Sequence, residues 1–192
     1  MINISFKLYL VLLFLILISC QSVEILDKAT LDYDNLPKIT INAEKKIFKN
    51  LYEPQYIDPY IDHSLVNSPT DYLSKWINNN LIVFGTENKL EINIVEASLK
   101  KYEIENIDKK KYKEKIIFMF EINFLVEFLL YDGSSFLLSS SIVESKNTTT
   151  SGKFISLHEN EKIIETLIID SLIDFSKKSQ ELFKMHFDGY IL

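Results

Sequence analysis

From Ile117 onward one period dominates the chain: Phe118, Phe120, Ile122, Phe124, Val126, Phe128 and Leu130 recur at every second position. A period of two places all seven side chains on one face of a β-strand, and their uniform apolarity predicts that this face is covered. The opposite face mixes Glu121, Asn123 and Glu127 with apolar residues. Asp132-Gly133-Ser134-Ser135 then predicts a reversal into a serine-rich partner strand. A two-residue turn would set Tyr131 against Ser134 and Glu121 against Glu144. A four-residue loop would set Tyr131 against Phe136 and Glu121 against Lys146. Facing like charges destabilise a ladder, so the longer loop is expected.

Elsewhere the period alternates between two and 3.6. Lys38–Ala43 is an expected strand with Ile39 and Ile41 on one face, and Ile47–Tyr52 resumes it. The stretch 53–69 carries three prolines and no period, the signature of a loop. Ser68, Pro69 and Asp71 form a helix start of N-cap, first-turn proline and first-turn acid. Leu73, Trp76, Ile77, Leu81 and Phe84 follow at helical spacing, with Gly85 as the expected stop. Leu90, Ile92 and Ile94 alternate, and Ala97 and Leu99 resume on the other parity, which predicts a bulge near Val95. Ser156 and Glu159 open a second helix whose stripe runs through Ile163, Ile164, Leu167, Ile168, Leu172 and Phe175 toward Phe187. Strands grouped in a hairpin-dominated sheet with two helices predict an α+β fold. Its expected form is a two-layer sandwich, a mainly antiparallel sheet covered by two helices, preceded by an N-terminal signal helix.

The N-terminus changes the picture. Lys7 precedes eleven apolar residues, Leu8–Ile18, which end at the small Ser19 and at Cys20, the single cysteine of the chain. As a helix that run rises about 16 Å, against a hydrocarbon core of about 30 Å, so a signal segment is expected rather than a membrane span. Leu17-Ile18-Ser19-Cys20 resembles the lipobox of bacterial lipoprotein precursors. The resemblance implies cleavage between Ser19 and Cys20, a thioether-linked diacylglycerol on Cys20 and acylation of the new amino terminus. Gln21, in place of the aspartate that retains many such proteins in an inner membrane, implies the outer membrane and its periplasmic face. The expected organisation is a signal peptide over 1–19, a flexible tether over 20–37 and one domain over 38–192.

Charge and composition exclude several functions. All 21 basic residues are lysine, so no guanidinium fork is available for phosphate or carboxylate. From residue 20 onward, 20 lysines stand against 27 acids, a net of −7, which argues against nucleic-acid binding. The four glycines at 85, 133, 152 and 189 assemble no phosphate loop. His63, His158 and His186 lack metal-ligand spacing, so no metal or cofactor is expected. No Ser stands in a nucleophile elbow, and the run Ser139–Ser141 falls on a strand, where small residues allow close packing. Glu121 and Glu127 are separated by roughly 20 Å of strand, too far for a glycosidase pair. Asp58, Asp62 and His63 crowd one loop, a pattern that ordinarily marks a hydrated turn, and no catalytic residue is expected. Asn147-Thr148-Thr149 matches a glycosylation pattern, discounted behind a bacterial lipobox, and Thr148–Thr150 is an expected polar loop. Tyr72 and Trp76 lie on the apolar stripe and are expected in the core.

These features favour a non-enzymatic envelope lipoprotein that contacts the membrane through Cys20 and binds envelope proteins. The alternative is a lipoprotein that binds lipid or another apolar ligand against the Phe118–Leu130 face. "SPTDYLSKWINNNL", the following strands and the long last helix are similar to the auxiliary lipoproteins of ABC-type lipid transport systems over residues 38–187. That resemblance implies a compact α+β accessory domain and assigns no binding residue.

Overall fold

The computed structural model describes residues 31–107 and 114–192. The fold is α+β. Strands β2 (Lys45–Asn50), β4 (Lys89–Glu105), β5 (Ile116–Tyr131) and β6 (Leu137–Gly152) form one sheet in the order β2-β4-β5-β6. β4, β5 and β6 are antiparallel, while β2 runs parallel to β4. β1 (Ile39–Ile41) and β3 (Leu81–Val83) form a separate parallel pair. Helices α1 (Pro69–Asn80) and α2 (Leu157–His186) cover one face of the large sheet.

That face is the one the period of two marks out. Phe120 to Leu130 at alternate positions of β5 are fully buried, and so are Leu90, Ile92, Ile94, Ala97 and Leu99 of β4. The ladder shifts by one residue between Ile94 and Glu96, leaving Val95 exposed as the bulge residue. Without that shift, Ala97 and Leu99 would face away from the helices.

β6 contributes Ser141, Val143, Ser145 and Ser151 to the covered face, all buried. Their small size lets α2 lie close against the strand. Ser145 Oγ donates to the Ser171 carbonyl (3.2 Å), and Ser139 Oγ donates to the His186 carbonyl. Ser145→Val should therefore overpack this seam and cost about 1–3 kcal/mol, read as a lower denaturation midpoint. An unchanged midpoint would mean that α2 does not sit tightly on β6.

The hairpin departs from expectation. The loop spans Asp132–Phe136, Tyr131 pairs with Leu137, and a second bulge puts Glu121 opposite Thr148. Asp132 gathers the loop by accepting from the Ser134 and Phe136 amides (both 2.8 Å), a local geometry that turn residues alone do not announce. Lys146 still reaches Glu121 diagonally (3.0 Å). The difference from the expected register is two residues, so the covered face is unaffected.

Three further differences have local causes. α1 ends at Asn80, short of the expected stop, and the chain passes directly into β3 with Phe84 exposed. Lys46 accounts for the early end: its ammonium donates to the Ile77 and Leu81 carbonyls (both 2.8 Å), closing the helix from β2. Burial pushes the Lys46 pKa down. Gly85 serves a close approach instead of a helix stop, since a Cβ there would lie 3.0 Å from the Ala43 backbone nitrogen. Thr148–Thr150 belong to β6, not to a loop. Within the expected tether, Leu31, Tyr33 and Leu36 pack on the core, and Asn80 Nδ2 donates to the Tyr33 and Leu36 carbonyls (2.8 and 3.1 Å).

Candidate functional site

The loop from Leu51 to Val66 runs along the edge of β4 that β2 leaves open. The Leu51 amide donates to the Ile94 carbonyl (2.9 Å), the Ile61 amide to Leu99 (2.9 Å), and the Lys101 amide to Pro59 (2.8 Å). Proline-rich and without period, this segment seals a sheet edge by scattered backbone bonds that a sequence pattern does not reveal.

Its candidate residues diverge. Asp62 is buried, and its Oδ2 accepts from the Tyr52 hydroxyl (3.0 Å). Burial and then the Asp62 charge push the Tyr52 pKa up. His63 and Asp58 are exposed; His63 Nδ1 donates to the Gln55 carbonyl (3.0 Å), and its ring lies against Tyr56. Ser64 Oγ is taken by the Ile61 carbonyl (2.7 Å). The Tyr52–Asp62 pair is buried, and the Ser64 and His63 side chains of this loop bond to backbone carbonyls and not to a carboxylate.

The uncovered face of the sheet carries further carboxylates, among them Glu91, Glu96, Glu121 and Glu127, which accept from neighbouring donors. Glu96 accepts from Ser98 Oγ (2.6 Å), Asn123 Nδ2 (2.9 Å) and Lys100 Nζ (3.4 Å). Burial alone would push the Glu96 pKa up, but these donors together hold it below the usual carboxylate range. Glu127 accepts from Asn93 (3.0 Å), and Glu91 pairs with Lys49 (2.7 Å), which holds its pKa low. Neighbours with complementary charge make this a cross-strand network, with Glu121 paired to Lys146 and apart from Glu127. His158 and His186 sit at opposite ends of α2. Among the described residues no cluster of three or more His, Cys, Asp or Glu is placed to hold a metal ion. Trp76 is core, its Nε1 donating to Ser176 Oγ (3.0 Å). Ser19, Cys20 and the apolar run before them lie outside the described residues.

A ligand site in the covered layer would need space beside the Phe118–Leu130 face, yet its side chains from Phe120 to Leu130 have no exposed surface. Open space lies at the rim instead. A groove of about 770 Å³ runs between β6 and the N-terminal half of α2, past Asn147, Thr148 and Thr149. Ile163 and Leu167 line it together with Glu159, Asp170, Asp174 and Lys162. Asn147 ties its two sides, donating to Ser171 Oγ (3.2 Å) and Asp174 (3.1 Å). These residues come from segments about twenty positions apart in sequence, none with a motif, so only folding assembles them. The one sequence-level hint is the threonine run Thr148–Thr150 on a strand of high β-propensity.

No protein-family model and no curated protein matches the sequence. Solved structures with a similar layout include a minor lipoprotein from Acinetobacter baumannii (9% identity, 74% of this chain and 96% of that one, TM-score 0.38). Rare lipoprotein B from Shewanella oneidensis is similar at 13% identity over 74% of this chain and 97% of that one, TM-score 0.38. A neuraminyllactose-binding hemagglutinin homolog from Helicobacter pylori is similar at 10% identity over 80% and 93%, TM-score 0.39. Likeness at this level concerns the rough course of strands and helices and carries no functional argument.

Proposed function

We propose that this chain is a bacterial envelope lipoprotein, anchored by lipid on Cys20, whose α+β domain is a non-enzymatic accessory that binds envelope proteins. The observation that supports a protein-binding domain over a lipid carrier is the filled apolar layer. Phe124 and Phe128 pack against Phe175 and Phe183, Phe175 in turn against Trp76, and the face from Phe120 to Leu130 has no exposed surface. A carrier of lipid or another apolar ligand needs an enclosed apolar pocket of several hundred Å³, whereas the groove at the rim is open to solvent and sets Glu159, Asp170 and Asp174 beside Ile163 and Leu167. The dispersal of Asp58, Asp62 and His63, and of His158 and His186 at opposite ends of α2, supports the absence of catalysis.

The anchor rests on Leu17-Ile18-Ser19-Cys20 behind the apolar run. Two or three acyl chains, at about 0.8 kcal/mol per buried CH₂, hold a protein at a membrane without a spanning helix. With Gln21 next, the membrane proposed is the outer one, the domain facing the periplasm. Cys20→Ser should leave the precursor unprocessed or release the protein from the membrane fraction. Metabolic labelling with a palmitate analogue should mark the parent and not the variant. Equal labelling of both would overturn the anchor. Crosslinking in the native cells then tests the domain: recovery of defined envelope proteins supports the accessory reading, and recovery of lipid alone overturns it.

A further inference from the structure

Among the described residues β6 ends the sheet order, and one of its edges has no neighbouring strand there. The Glu144 carbonyl accepts from Lys178 Nζ of α2 (3.1 Å), which identifies the free side of the strand. Alternation of hydrogen-bonding direction along an antiparallel strand then directs the backbone N–H and C=O of Lys146, Thr148 and Thr150 outward as well. All three residues are exposed. Lys178 occupies the edge at Glu144 and Lys146 adds a charge beside it, but from Asn147 to Thr150 no charged side chain, no proline and no ladder bulge protects it. Natural sheets ordinarily protect such an edge by one of these devices.

The groove of about 770 Å³ is lined by Asn147, Thr148 and Thr149 of this stretch, and α2 forms its far wall. Five residues of extended chain span about 17 Å, and an added strand would lie about 4.8 Å from β6, facing that wall. The wall presents the carboxylates Glu159, Asp170 and Asp174 against the single ammonium of Lys162, with Ile163 and Leu167 between them. A strand docked there would meet hydrogen-bonding groups on one side and mostly negative charge on the other.

We propose that the outer edge of β6 from Lys146 to Thr150 receives an extended, lysine- or arginine-bearing segment of a partner protein as an added β-strand. Main-chain hydrogen bonds supply the affinity, and the α2 carboxylates select basic side chains. The proposal rests on the reading of the domain as a protein-binding accessory and places its contact on this edge.

The test uses the full chain in detergent micelles and three synthetic octapeptides. One alternates lysine and valine, one replaces lysine by glutamate, and one is the lysine peptide N-methylated at alternate amides. The lysine peptide should bind, weaken with salt and slow amide exchange over residues 146–150. The N-methylated peptide should lose binding, and the glutamate peptide should bind at least about tenfold more weakly. Thr148→Pro removes an outward N–H from an edge strand, where proline is tolerated, and should abolish binding. Asp170→Asn alters an exposed side chain and should weaken the lysine peptide about threefold. Binding indifferent to charge, binding that leaves exchange at 146–150 unchanged, or protection of this edge by self-association would overturn the proposal. So would a folded Thr148→Pro protein that binds normally or still crosslinks to the same envelope proteins. That last outcome would leave the accessory reading standing and move the contact elsewhere.

Discussion

Trp76→Ala should lower the stability of the domain by about 3–5 kcal/mol, the cost of deleting a large aromatic side chain from a packed core. Trp76 is 0% exposed and sits on α1 where that helix meets α2. Its ring meets the Phe175 ring edge-on at 5.2 Å, and Phe175 in turn meets Phe124 of β5 at 6.2 Å. One side chain thus joins both helices to the sheet. Truncation opens a cavity that this rigid triad cannot close, and it also strands the Ser176 hydroxyl without its indole donor. Such a loss is a large part of the roughly 5–15 kcal/mol that holds an ordinary domain together. The denaturation midpoint should fall with little change in slope, and the melting temperature should drop by roughly 10 °C. Phe154→Ala, at a side chain 85% exposed, should shift stability by no more than about 0.5 kcal/mol. If the two variants behave alike, the packing described around Trp76 is wrong.

Stability should also fall away at both ends of the pH scale, with a flat region between about pH 5 and about pH 9. On the alkaline side, burial and then the Asp62 carboxylate push the Tyr52 pKa up. Burial and the neighbouring Tyr72 push Tyr33 up to about 12. Both hydroxyls hold their protons more tightly folded than unfolded, where a tyrosine titrates near about 10. Their contribution is complete below about pH 10 and is lost as pH rises beyond it, by up to about 1.4 kcal/mol per pH unit for each proton involved. On the acid side the sign reverses. The Glu96 carboxyl is held below its ordinary range in the folded chain, as is that of Glu91. Their contribution is complete above the unfolded carboxylate range, near about 4.3, and is lost as pH falls through the lower folded values. Denaturant unfolding measured at intervals from pH 3 to pH 12 reads both limbs. Tyr52→Phe should flatten the alkaline limb and Glu96→Gln the acid limb; an alkaline limb unaltered by Tyr52→Phe would remove Tyr52 from the account.

The elements legible beforehand were those whose local chemistry and tertiary role agree. The alternation from Phe118 to Leu130 needs only the pleat of a strand to become a buried face, and it did so in full from Phe120 onward. The parity change at Val95 announced a bulge because the burial of Ala97 and Leu99 requires one. Ser68 and Asp71 announced a helix start because a capping box involves four consecutive residues and no distant partner. The end of α1 was not legible, because the group that closes it, the Lys46 ammonium, comes from a strand more than thirty residues earlier. The parallel pairing of β2 with β4 was hidden for the same reason. Its partners are equally distant, and Lys45–Asn50 has little buried surface of its own.

The candidate sites divide along the same line. The proposed lipid attachment is a linear signal ending at Cys20, so it stands in the sequence itself. Asp62 and His63, neighbours in sequence, were separated by folding because one side chain turned inward to Tyr52 and the other outward to solvent. The groove beside β6 could be seen only after folding. It joins strand residues near Thr148 to helix residues near Asp170, and neither segment carries a pattern that names the other. Sequence alone determined which faces are apolar and where the helices begin, since each depends on neighbouring residues or a fixed short period. Tertiary structure decided which edge stays open among the described residues and which charges line it, because edges and grooves arise from contacts between segments far apart in the chain.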